Sequence, residues 1–151
     1  MNKIIMLIGA AASGKTTAAP KIAAKNNAVI ISTDRIRAAL YGAEHIQGDW
    51  QEIEAVLYDR IKNAIKQNKN IILDSTHYKK EYRAKIIKNF AKCSIFSAYY
   101  FNYPFALIYS RNKRRARRVP FEVLAAMYEH LKNAPPLLSE GFKSIKKMYD
   151  N

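Results

Sequence analysis

The residue types that carry chemistry are concentrated near the start of the chain, in Gly9-Ala10-Ala11-Ala12-Ser13-Gly14-Lys15-Thr16. Glycines at both ends of such a segment let the backbone curl so that its N–H groups point inward at an anion, and a following helix adds its positive N-terminal end. This is the Walker A pattern, a loop that cradles the phosphates of a nucleoside triphosphate, and it implies ATP with Mg²⁺. Lys15 would reach the β- and γ-phosphates and offset the charge that builds during transfer, while the Thr16 hydroxyl would ligate the metal. Gly9, Ala12, Ser13, Gly14, Lys15, Thr16 and Thr17 are therefore the expected donor contacts.

Two carboxylates follow. Ser32-Thr33-Asp34-Arg35-Ile36-Arg37 closes an apolar run, and an Asp there can take the proton of an attacking hydroxyl while an Arg one helical turn on clamps the acceptor. Asp34 and Arg37 have that spacing. The same Ser, Thr and Asp are also the types that most often cap a helix, so general base and cap both stand at this point. A second run, Ile71-Ile72-Leu73, ends in Asp74, placed to hold the water shell of Mg²⁺ or to orient the base. Ser75-Thr76-His77 then offer hydroxyls and an imidazole to a substrate, with His77 expected as a solvent-exposed loop residue.

Between Arg111 and Arg118 six of eight residues are basic. At helical spacing Arg111, Arg114, Arg115 and Arg118 share one face. Repulsion makes such a face costly unless anions meet it. A lid over the triphosphate, a nucleic-acid contact surface and a solvated charge run are the competing readings.

These groups need a scaffold. Short β-branched or aromatic runs at Lys3 to Ile8, Ala28 to Ser32, Asn70 to Leu73 and Ser94 to Phe101 read as strands. Helical spacing falls between and after them. Thr17 to Lys25 is helix-compatible apart from Pro20; Trp50, Ile53, Leu57, Ile61 and Ala64 form one stripe, and Phe121, Leu124, Tyr128 and Leu131 another. Pro120 and Pro135-Pro136 bracket the last of these helices. A final short strand is expected near Ser144-Ile145. The alternation gives an α/β fold of the P-loop kinase type: a parallel sheet of four to five strands with helices on both faces, ligands at the carboxyl ends of the strands, and one domain over residues 1–151.

Composition sets the surroundings. Twenty-six Lys and Arg against twelve Asp and Glu leave a formal charge of +14, which favours phosphate-rich partners such as nucleic acid. The single cysteine, Cys93, excludes an internal disulfide, and with no Cys/His cluster of metal-site spacing a cytoplasmic location is expected. Lys3 followed by Ile4 to Ile8 and three alanines imitates a secretory leader, but Ser-Gly-Lys-Thr-Thr directly after it favours a core strand feeding a phosphate loop.

Taken in order, Gly-x4-Gly-Lys-Thr, Asp34-x-x-Arg37, Asp74-x-Thr76 with Arg83 downstream, Arg111-Asn112-x-x-Arg115 and Val119-Pro120-x-x-Val123-Leu124-x-x-Met127-Tyr128 resemble the kinase domain of phage-type polynucleotide 5′-hydroxyl kinases. The resemblance implies transfer of the γ-phosphate to the 5′-hydroxyl of a DNA or RNA end. It makes Asp34 the general base and Arg37 the contact to an acceptor phosphate, with Thr76 and Arg83 on the same side. Arg115, with Arg111, becomes the lid on the donor phosphates. The segment from Ala43 to Asn70 departs from that family, and no Asp-x-Asp phosphatase motif is present. A small-molecule kinase acting on a nucleoside, sugar or antibiotic hydroxyl, and a nucleotide-dependent binding protein, are the alternatives.

Overall fold

The computed structural model describes residues 1–148. Five strands form one sheet in the order β2-β3-β1-β4-β5, every pair parallel. They are β1 (Asn2–Ile8), β2 (Ala28–Ser32), β3 (Asn70–Asp74), β4 (Ser94–Phe101) and β5 (Ile145–Met148). The helices are α1 (Lys15–Asn26), α2 (Thr33–Tyr41), α3 (Trp50–Lys66), α4 (Lys80–Phe90), α5 (Phe105–Arg114) and α6 (Phe121–Asn133). The α/β class, the parallel sheet and its strand count are as expected. The short last strand starts at Ile145, where it was expected.

Strand β1 lies at the centre and is buried on both faces, so its side chains alternate between two cores. Ile4, Met6 and Ile8 meet Ile53, Leu57 and Ile61 of α3 and Ile86, Ile87 and Phe90 of α4. Ile5 and Leu7 meet Ala19, Ile22 and Ala23 of α1 on the opposite face. A third cluster, Ala10, Ile108 and Leu124, fixes the α5–α6 hairpin against the phosphate loop.

The order of the strands locates the site. The chain leaves β1 toward β2 on one side and leaves β3 toward β4 on the other. Connections that diverge from adjacent strands open a crevice beyond their carboxyl ends. Into that crevice project the loop after β1, the start of α2, and the loop after β3. No helix among the described residues is long and apolar enough to cross a membrane.

Candidate active site

The phosphate loop has the backbone its sequence implies. Gly14 lies at φ 96°, a region glycine enters without strain, and Ala12 takes φ 64° despite its Cβ. Gly9 is required for a different reason: a Cβ there would come within 2.6 Å of Ser13 Oγ and 2.9 Å of Phe101 Cβ. Gly14 is the N-cap of α1 and no side chain caps it. The first-turn N–H groups, those of Lys15, Thr16 and Thr17 among them, therefore have no side-chain acceptor and face the crevice as an anion site.

Lys15 is buried and its Nζ donates to Gly9 O at 2.8 Å, Ala10 O at 2.7 Å and Ser13 Oγ at 3.3 Å. Burial lowers its pKa to about 8; the Asp74 carboxylate opposes that, Arg115 adds to it and Asp34 opposes it again. Thr16 Oγ1 donates to Asp74 Oδ2 at 3.1 Å. Asp74 is pushed above the usual carboxylate range by its burial, with Lys15 and the Thr16 hydroxyl pulling it back. A hydroxyl and a carboxylate in contact at the loop's edge are hard oxygen ligands of the type Mg²⁺ takes.

Ser32, not Asp34, caps α2: Ser32 Oγ accepts from Arg35 N at 3.3 Å. The Asp34 carboxylate is left free of capping. Its Oδ1 pairs with Arg37 Nη1 and its Oδ2 with Arg117 Nη1, each at 3.3 Å. The next residue back, Thr33, donates to Ser75 Oγ at 3.1 Å, which ties the start of α2 to the loop after β3. Thr76 lies in that loop, and its carbonyl accepts from Gly9 N at 3.0 Å.

Three expectations are corrected. The basic run is not one helix, because α5 stops at Arg114 and Arg115 turns to extended backbone, φ −78° and ψ 145°. Asn112 explains the turn: its Nδ2 donates to Val119 O at 2.7 Å and its Oδ1 accepts from Val119 N at 3.0 Å, closing the segment into a loop ahead of Pro120. Arg111 then stacks on Tyr103, 4.8 Å from the ring centroid, and reaches Ser13 O at 3.5 Å, while Arg114 and Arg118 are exposed.

Arg83 is fully buried, so it does not face an acceptor. Its Nε and Nη2 pair with Glu140 at 2.8 and 3.2 Å, and its remaining donors go to the carbonyls of His77, Tyr78 and Ala134. The third correction is His77, which is 6% exposed at φ 48°. Its Nδ1 donates to Leu7 O at 2.7 Å; burial lowers its pKa to about 4, against the pull of that hydrogen bond, with Lys15 and Arg83 pushing further down. A neutral imidazole pins the loop after β3 to β1.

Two guanidinium atoms are buried with no partner among the described residues, Arg37 Nε and Arg115 Nη1. Buried donors normally find an acceptor, and both arginines border the crevice from opposite sides. Arg117 is a residue that the reading of the sequence missed; Asn112 was named there only within a motif, and its hold on Val119 was not foreseen. The basic run contained Arg117, but a helical wheel put it off the shared face.

Comparison with known proteins places these features in context. A family model described as an AAA domain matches residues 4–134. An L-seryl-tRNA(Sec) kinase of Methanococcus maripaludis is 29% identical over 137 residues, 83% of this chain and 51% of that protein. The fold superposes on a chain of an RNA repair complex with a TM-score of 0.79 at 18% identity, covering 87% of this chain and 44% of that one. It also superposes on a gluconokinase from Sinorhizobium meliloti 1021, TM-score 0.65 at 17% identity, covering 97% and 82%. The chain spans about half the length of the tRNA kinase and less than half of the RNA repair chain.

Proposed function

The chain belongs to the AAA domain family, and from that premise and the geometry of the crevice we propose that it is a kinase transferring the γ-phosphate of ATP to the 5′-hydroxyl of a DNA or RNA end. The observation that carries the reading is the Asp34 carboxylate. It stands at the carboxyl edge of the sheet beside the phosphate loop, is free of any capping duty, and is flanked by arginines.

The donor is held by Gly9, Ala12, Ser13, Gly14 and Thr17 through main chain, and by Lys15, Arg111 and Arg115 through charge. Thr16 and Asp74 would hold Mg²⁺, which neutralises charge on the β- and γ-phosphates. Asp34 accepts the proton of the acceptor hydroxyl as its oxygen bonds to the γ-phosphorus and the bond from that phosphorus to the β–γ bridging oxygen breaks, releasing ADP. Arg37 binds a phosphate of the acceptor strand, with Thr76 beside it. Arg115 stabilises the charge that spreads over the transferring group.

Three observations favour a nucleic-acid acceptor: the formal charge of +14, Arg37 Nε beside Asp34, buried with no partner among the described residues, and likeness to a tRNA kinase and an RNA repair chain. A small-molecule acceptor is favoured by near full-length fold matches to a gluconokinase, a sugar kinase and a tunicamycin resistance protein. Salt separates them. Strand binding releases counterions, so log KM for a single-stranded acceptor should rise against log salt with a slope of about 0.7 per phosphate neutralised. Arg37→Ala should lower that slope by about one such contact. A salt-independent acceptor KM supports the small-molecule reading instead.

A further inference from the structure

Beyond the reacting end, the surface holds an aromatic cluster that the chemistry above leaves unused. Trp50 and Tyr82 are 38% and 39% exposed, with ring centroids 5.8 Å apart and planes inclined by 33°. Tyr78 stands edge-on to Tyr82 at 6.5 Å. Lys79 places its ammonium 5.4 Å from the Tyr82 centroid and 5.8 Å from that of Tyr78.

The topology sets this cluster on the acceptor side. Helix α3 leads into β3 and α4 leads out of it, so Trp50 at the start of α3 and Tyr82 in the first turn of α4 both lie toward the carboxyl edge of the sheet. Tyr78 belongs to the loop that carries Ser75, the hydroxyl bonded to Thr33 beside Asp34. Three Cα–Cα steps separate Ser75 from Tyr78, a reach of roughly 10 Å at full extension. The β4–β5 half of the edge, where Arg111 and Tyr103 meet, lies on the other side of β1.

Exposed aromatic faces beside a cation, on a chain of formal charge +14, match the way proteins hold single-stranded nucleic acid: bases stack on the rings and the charge follows the backbone. We propose that Trp50 and Tyr82 form a stacking platform for the bases that follow the 5′-terminal nucleotide of a single-stranded acceptor, with Lys79 at the linking phosphate. This rests on the polynucleotide reading above and adds to it a specificity for acceptor length. It also gives a role to the segment from Ala43 to Asn70, whose first exposed aromatic residue is Trp50.

Trp50 is the only tryptophan, so its fluorescence reports the platform directly. Titration of the full chain with 5′-hydroxyl tetra- and octanucleotides should quench it, and a nucleoside 3′-monophosphate should not. Trp50→Ala and Tyr82→Ala should each raise the KM of the octanucleotide by about fivefold to a hundredfold, from the usual loss per stacked base. Turnover at saturation, the KM for ATP and the KM for the 3′-monophosphate should not change. Both residues are exposed, and melting curves establish that the variants fold. If oligonucleotides are phosphorylated with KM values that neither substitution moves, the platform is overturned while the kinase reading stands. If no oligonucleotide is phosphorylated, the reading and the platform fall together.

Discussion

Arg117 Nη1 stands 3.3 Å from Asp34 Oδ2, joining the loop after α5 to the first turn of α2 across the mouth of the crevice. Both side chains keep part of their surface in water, 30% and 39%, where an ion pair contributes little to stability. Arg117→Ala should therefore change the free energy of unfolding by no more than about 1 kcal/mol in denaturant titrations. Its effect belongs to the site, because the pair holds in place the loop that carries Arg115. Turnover should fall at unchanged stability; a large loss of stability at unchanged turnover would show the pair to be structural.

Asp34→Asn should lower turnover by about 10² or more while leaving ATP affinity nearly intact, the range for loss of a general base. Ser32→Ala is the matched control. It removes the cap of α2 and should cost about 1 kcal/mol of stability, with catalysis per folded molecule retained. Full turnover in the Asn variant would remove Asp34 from the chemistry.

Arg83 and Glu140 form the buried counterpart of that exposed pair, their side chains 0% and 4% accessible. Removing one partner leaves an uncompensated buried charge, so Arg83→Met or Glu140→Gln should destabilise by about 3–5 kcal/mol. Thermal melts check this. A shift in acceptor KM without any loss of stability would restore Arg83 to the acceptor site.

Lys15 and His77 give stability a pH dependence. Lys15 titrates at about 8 in the fold against 10.5 ordinarily. Between those values the unfolded chain keeps a proton that the folded chain has released, so stability in the absence of nucleotide should rise with pH from about 8. His77, at about 4 against 6.5, has the same sign in its own window, and acidification through it destabilises. Above pH 10 the sign reverses, because burial holds Tyr58 up at about 12. Urea titrations at pH 8 and pH 9.5 read the first window; lower stability at the higher pH would contradict a buried ammonium.

Much of this was legible in the residues. The apolar runs gave four strands because central parallel strands are buried on both faces, and the glycine spacing fixed the phosphate loop because Gly9 has no room for a Cβ. Asp34 stayed ambiguous, since cap and base demand the same residue types; the structure gives the cap to Ser32. Helical spacing misled at Arg111 to Arg118, where Asn112 bonds both backbone groups of Val119 and ends the helix early. Arg83 was placed toward an acceptor and His77 in solvent, and both are buried. Their burial depends on Glu140 and Leu7, which lie 57 and 70 positions away in the chain.

The central claim is tested most directly by transfer itself. The full chain is incubated with γ-labelled ATP and Mg²⁺ beside 5′-hydroxyl DNA and RNA oligonucleotides, their 5′-phosphorylated forms, nucleosides and sugars, with Lys15→Ala as the control. The account predicts label on the 5′ ends of the 5′-hydroxyl strands alone, lost in the Lys15 variant by several kcal/mol of transition-state stabilisation, about 10² or more in rate. Label on a sugar or nucleoside with none on the strands would contradict it.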